Sequence, residues 1–249
     1  MTSLAATNLT LMRGGRVILQ DLSLAATGGE FIAVIGPNGA GKSTLLAALA
    51  GLSPPDSGTV QLDAVPVAGL AARDLARQRG YLPQNARCEW PLAVERMVAL
   101  GLAPLGGEDD ARVDAVLADC DLLALRKQAV TTLSGGELAR AMLARALVAD
   151  PAVLMVDEPL AGLDPRHAWE AARRLRSLAM EQRRLVIASI HDLNIVLRLA
   201  TRVWALRDGR LLADGAPEAV LDGALLGELF DMKAELRRSG AGAWVDFAP

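Results

Sequence analysis

Gly36-Pro37-Asn38-Gly39-Ala40-Gly41-Lys42-Ser43-Thr44 is the stretch that decides the fold. It follows an apolar run, Phe31-Ile32-Ala33-Val34-Ile35, and opens a helix-like run from Thr44 to Ala50. Strand, glycine-rich loop and helix in that order form the setting of a phosphate-binding loop. The glycines let the backbone curl so that its N–H groups converge as an anion nest. The positive end of the helix that follows lies beneath the same phosphates. Lys42 is placed to reach the β- and γ-phosphates, and the Ser43 hydroxyl to hold Mg²⁺. A glycine-rich turn that merely precedes Lys-Ser is the plain alternative, and average composition yields that bare pattern in about one chain in a hundred. The strand before and the helix after point instead to a bound nucleoside triphosphate.

The 249 residues suffice for one large α/β domain with a small insertion. Lys plus Arg number 26 against 29 Asp plus Glu, a net charge of −3, so no basic face for nucleic acid is expected. Cys88 and Cys120 stand in unrelated contexts without metal-ligand spacing, the usage of a reduced cytosolic protein. Hydrophobic residues make up 52%, much of it alanine. No apolar stretch reaches the roughly 18 residues that span a bilayer. The N-terminus has no cationic segment followed by an apolar one, which argues against secretion.

Around the loop, short β segments are expected at Leu4 to Leu11, Val17 to Leu19, Leu22 to Leu24 and Phe31 to Ile35. Gly51 and Pro54-Pro55 close the first helix. Gly58 to Leu62 and Gly80 to Gln84 read as strands, with a helix between them at Leu70 to Gln78. From about Asn85 to Ala149 the signal is helical, over Val94–Leu102, Glu108–Cys120, Leu122–Lys127 and Glu137–Ala149. Ala152 to Val156 is a continuous apolar run suited to a strand covered on both faces. Asp164-Pro165 supplies an N-cap and first-turn proline for a helix that buries Ala168, Ala172, Leu175 and Ala179. Leu185 to Ile190 is another buried strand, and Val203 to Leu212 a hairpin turning at Asp208-Gly209.

Chemistry gathers where those strands end. Asp157-Glu158 follows the run ending at Val156, at the carboxyl edge of a parallel sheet, beside the phosphates. There Asp157 would hold Mg²⁺ and Glu158 would polarise the attacking water. Gln84 and His191 also end strands, so one edge would collect them: Gln84 to orient water or Mg²⁺, His191 to hydrogen-bond the γ-phosphate. His167, on a helix face, reads as an ordinary surface residue. Leu133-Ser134-Gly135-Gly136-Glu137 precedes a helix and would form a second phosphate grip. One nucleotide rarely needs two grips in one chain, so this one would act on a nucleotide held by another subunit.

Together these pieces resemble the nucleotide-binding subunit of an ATP-binding-cassette (ABC) transporter, across essentially the whole chain and in the family's motif order. Gly36 to Thr44 is the phosphate loop, Gln84 the Q-loop glutamine and Leu133 to Glu137 the signature. Val153 to Glu158 is the Walker B strand with its glutamate, Ala161 to Asp164 the D-loop and His191 the switch histidine. The resemblance implies an α/β fold: a P-loop (RecA-like) ATPase core with an N-terminal antiparallel β region and an inserted helical subdomain. It implies a single nucleotide-binding domain, with its core at about 1–84 and 150–249 and the helical subdomain at about 85–149. Two copies would close head to tail around two ATP, each held between one copy's Gly36–Thr44 loop and the other's Ser134-Gly135-Gly136. The family stacks adenine on an aromatic at about Arg13; here only a guanidinium is offered there.

Trp90 to Gly101 resembles the matching segment of importers for iron chelates, haem and cobalamin, and Leu229 to Leu236 their closing strand. Where an Arg often follows the Leu-Gly pair in those proteins, Leu102 stands here. The implied system has ATP and Mg²⁺ as cofactors, membrane permease subunits and an extracytoplasmic substrate-binding protein as partners, and no nucleic acid. The implied place is peripheral, on the cytoplasmic face of the inner or plasma membrane. A soluble ABC ATPase such as an iron–sulfur cluster assembly factor, or an exporter subunit, is the alternative.

Overall fold

Phe31 to Ile35 are all fully buried, and alternate members of this run serve opposite cores. Phe31, Ala33 and Ile35 face one cluster with Leu154, Val156, Val186 and Ala188. Ile32 and Val34 face the other with Met155, Ile187, Trp204 and Leu206. A strand covered on both sides can be apolar throughout, which is why the run lacks alternation. In the computed structural model, which describes residues 1–84, 86, 88–239 and 242–248, this strand is central to a mixed sheet. Asn85, where the helical insertion is expected to begin, lies outside the described residues.

In chain order the N-terminal part comprises β1 (Ser3–Arg13), β2 (Arg16–Thr27), β3 (Phe31–Ile35), α1 (Lys42–Leu49), β4 (Ser57–Leu62), β5 (Val65–Pro66), α2 (Ala72–Gln78) and β6 (Arg79–Leu82). The helices α3 (Val94–Ala99), α4 (Asp110–Asp119) and α5 (Gly135–Leu147) come next. The chain then runs through β7 (Val153–Val156), α6 (Pro165–Met180), β8 (Leu185–Ser189), α7 (Leu193–Leu199), β9 (Arg202–Arg207) and β10 (Arg210–Gly215). It ends with α8 (Pro217–Val220), α9 (Gly223–Phe230), β11 (Lys233–Ser239) and β12 (Gly242–Ala248). One sheet has the order β10-β9-β3-β8-β7-β6, parallel except for β10 at its edge. A second, antiparallel sheet has the order β2-β1-β4-β5. It covers α1 and one face of the first sheet, while the longer helices cover the other face. Truncating a fully buried side chain here, such as Phe31→Ala, costs about 3–5 kcal/mol.

The capping signals behave as their chemistry dictates. The Asp164 side chain accepts the His167 backbone N–H at 3.0 Å with Pro165 in the first turn, and Ala168, Ala172, Leu175 and Ala179 are buried. Three expectations are corrected. Val17–Leu19 and Leu22–Leu24 are parts of one strand, β2, which stays paired to β1 through register shifts instead of turning. Leu122–Lys127 contributes only a short 3₁₀ turn, Leu123–Leu125. Leu229 and Phe230 end α9, because Asp231 adopts a left-handed conformation (φ 54°), and the strand begins at Lys233, paired with β12. Among the described residues no helix is long and apolar enough to cross a membrane.

Candidate nucleotide site

The order β3-β8-β7-β6 sets four strand ends side by side on one edge, and each carries a candidate residue. From β3 the chain enters the loop at Gly36, whose φ is +149°. A Cβ there would lie 2.1 Å from the Leu206 carbonyl oxygen on β9, so only glycine lets the loop leave the sheet. The loop closes on itself with the Ala40 N–H donating to the Pro37 carbonyl (3.2 Å), and Gly41, left-handed at φ 100°, starts α1.

Lys42 folds back under this loop. Its Nζ donates to the carbonyls of Gly36 (2.8 Å) and Pro37 (3.0 Å), which ties the cation to the anion nest. Its side chain is 6% exposed. Burial lowers its pKa from the usual lysine value, and the charges of Glu158 and Asp157 oppose that effect.

Beside it Asp157 follows the last residue of β7, and its backbone N–H donates to the Leu82 carbonyl of β6 at 2.8 Å. Asp157 is buried, and its Oδ1 accepts from the hydroxyl of fully buried Ser189 at 2.7 Å. Glu158 takes a left-handed backbone conformation (φ 50°) and donates its N–H to the same hydroxyl oxygen, also at 2.7 Å. Two residues past β8, His191 places Nε2 2.9 Å from Glu158 Oε1.

Asn38, Gly39, Gly41, Lys42, Ser43, Thr44, Gln84, Glu158 and His191 line one cavity of 660 Å³. Gly36, Pro37 and Ala40 shape the loop behind it, and Asp157 lies beneath Glu158. The structure thus gathers the four strand-end groups singled out in the sequence. Ile18 of β2 also lines the cavity, and Ser189 bonds the Asp157 carboxylate and the Glu158 backbone N–H. Neither was legible, since Ile18 looks like any strand residue and Ser189 like the polar end of an apolar run.

Two candidates stand elsewhere. Arg13 is not among the residues lining this cavity; its guanidinium donates to the Ser53 hydroxyl at 2.7 Å. Ser134 caps α5 reciprocally: its hydroxyl accepts the Glu137 N–H at 3.4 Å, and the Glu137 carboxylate accepts the Ser134 N–H at 2.8 Å. The Ser134 hydroxyl also donates to that carboxylate, at 2.7 Å, and this bond is the main reason its pKa is lowered. Gly136 lines a separate cavity of 420 Å³ beside His167. None of Ser134, Gly135 and Gly136 lines the cavity that holds Lys42.

The pattern describing the ABC transporter family matches residues 19–161. The chain is 41% identical over 236 residues to the hemin import ATP-binding protein HmuV of Rhodopseudomonas palustris, covering 92% of this chain and 88% of that one. It is 42% identical to HmuV of Nocardia farcinica, over 90% of this chain and 81% of that one. In fold it matches all of this chain and 98% of a chain from a structure described as a metal-chelate type ABC transporter facing inward, with TM-score 0.84 and 24% identity. A second likeness, with TM-score 0.77 and 26% identity over 86% of this chain and 98% of the other, is to an ATP-binding cassette solved as a dimer with ADP and Pi. Matches of this extent show that the chain belongs to the ABC transporter family, as one of its ATPases.

Proposed function

We propose that the chain hydrolyses ATP to energise a membrane importer of an iron-chelate, haem or cobalamin type substrate. It works as a head-to-tail pair, peripheral on the cytoplasmic face of the inner or plasma membrane. It docks on permease subunits that are served by an extracytoplasmic substrate-binding protein. The observation that carries this reading is the identity of about two residues in five to hemin import ATP-binding proteins over nine-tenths of the chain.

Chemically, the loop N–H groups and the Lys42 ammonium bind the β- and γ-phosphates and offset charge that grows in the transition state. Glu158 holds the attacking water in line and accepts its proton. His191 donates a hydrogen bond on the phosphate side, and Gln84 orients water at the edge of the cavity. The donor set of the Ser43 hydroxyl, Asp157 carboxylate and Gln84 amide oxygen is all hard oxygen, which fits Mg²⁺ completed by phosphate oxygens and water. When bound, that ion neutralises phosphate charge. The separation of Ser134-Gly135-Gly136 from the Lys42 cavity supports a second copy as the source of the second grip.

The test is growth on hemin as iron source in a strain deleted for this chain. Wild-type chain restores growth and Glu158→Gln does not; normal hemin growth of the deletion strain would exclude haem as the substrate, and normal uptake of iron chelates and cobalamin as well would contradict the importer reading.

A further inference from the structure

We infer that Ser189 is a positioning residue for ATP hydrolysis, locking the metal-side carboxylate and the base-bearing backbone into one unit. This rests on the roles proposed above for Asp157 and Glu158.

β7 and β8 run parallel with Val156 opposite Ala188, so the next residue on each, Asp157 and Ser189, come abreast. Ser189 is fully buried between Ala188 and Ile190, both nearly or fully buried. Ser189→Ala removes only the hydroxyl oxygen and leaves Cβ in place, so it separates the hydrogen bonds of this residue from its packing. A serine hydroxyl has one proton to give and lone pairs to accept. The Glu158 backbone N–H can only donate, so Ser189 Oγ accepts it at 2.7 Å and must spend its own proton on Asp157 Oδ1, also at 2.7 Å. The direction of the relay is therefore forced.

Both bonds act on geometry that hydrolysis requires. The bond to Oδ1 fixes the plane of the Asp157 carboxylate, and a hydrogen bond to a carboxylate is among the stronger kinds. The bond from Glu158 N–H holds a left-handed residue, a conformation disfavoured for a side chain of this size, from which Glu158 turns into the phosphate cavity. Losing the hydroxyl frees both at once. Groups that orient metal-binding residues typically change affinity or rate by about 10- to 100-fold when removed.

The test compares Ser189→Ala, Ser189→Cys and Ser189→Thr by ATPase kinetics, by thermal unfolding, and by Mn²⁺ affinity of the ATP complex from the free-Mn²⁺ electron paramagnetic resonance signal. Ala and Cys are expected to lose about 10- to 100-fold in kcat and about 10-fold in Mn²⁺ affinity, with KM for ATP within about twofold. Thr, which keeps the hydroxyl, restores both. Unchanged kcat and Mn²⁺ affinity in Ala and Cys overturn the inference. Matched losses of ATP affinity and unfolding temperature with normal Mn²⁺ affinity overturn it as well, because the hydroxyl then serves only the fold. Glu158→Gln is run alongside. Wild-type turnover in that variant defeats the proposed base whatever Ser189 does, whereas an inactive Glu158→Gln beside a normal Ser189→Ala defeats the Ser189 inference alone.

Discussion

His191 Nε2 lies 2.9 Å from Glu158 Oε1, although the two residues leave different strands, β8 and β7. The contact places the histidine against the carboxylate that faces the phosphate cavity. On the proposed roles, a γ-phosphate entering that cavity would compete for the same ring nitrogen and release Glu158 toward water. His191→Ala removes this hand-over and is expected to cut turnover by about 10²- to 10⁴-fold while ATP affinity changes far less. ATPase assays paired with binding of a fluorescent ATP analogue read both; a parallel loss of binding would mean His191 serves affinity instead.

Gly36→Ala tests the exit from β3. The added methyl would meet the Leu206 carbonyl of β9 at 2.1 Å, and backbone cannot step aside as a flexible side chain does. Overpacking of this kind costs about 1–3 kcal/mol. The expected outcome is a lower urea midpoint together with loss of ATP binding, and normal binding would show that the loop rearranges freely.

The two grips are separable by mixing variants. Lys42→Ala disables the phosphate cavity, and Ser134→Arg disables the grip at α5, so each variant alone is inactive. In a mixed head-to-tail pair one composite site keeps wild-type Lys42 and wild-type Ser134. Random pairing then restores roughly a quarter of wild-type sites. Continued inactivity in the mixture would place both grips on one nucleotide within one chain.

Much of this site was readable because its signals are local. Gly36–Thr44 announces itself by glycine spacing, Asp157-Glu158 by its place after an apolar run, and α6 by Asp164-Pro165. What was hidden depends on register or distant chain. Ser189 matters only because Val156 pairs with Ala188, and no residue in Leu185–Ser189 states that partner. The strand β2 looked like two pieces because its register shifts against β1 break the alternation of apolar residues. The closing strand is legible in Leu229–Leu236, but its partner β12 is not, because the place of β12 comes from α7, where Asn194 Oδ1 accepts the Val245 N–H at 3.0 Å. Arg13 is a candidate by resemblance alone, and nothing in its spacing announces its bond to Ser53.

The cysteines offer a pH test independent of nucleotide. Cys120 is fully buried, and burial pushes its thiol pKa from 9.0 up to about 11, whereas Cys88 is only half-buried. At pH 8 a thiol reagent should modify Cys88 in the folded protein and reach Cys120 only on unfolding. With the folded pKa raised, the stabilisation is complete below pH 9.0 and is lost as the pH climbs through about 11. Rapid labelling of both thiols in native protein would contradict this burial.

The most direct measurement is ATP hydrolysis by Glu158→Gln beside wild type, with sizing in ATP and Mg²⁺. If Glu158 is the base and the chain closes on ATP as a pair, the variant binds ATP, turns over at least about 10²-fold more slowly and elutes as a dimer only with nucleotide. Hydrolysis by the variant at the wild-type rate would contradict the account, because the attacking water would then be activated elsewhere.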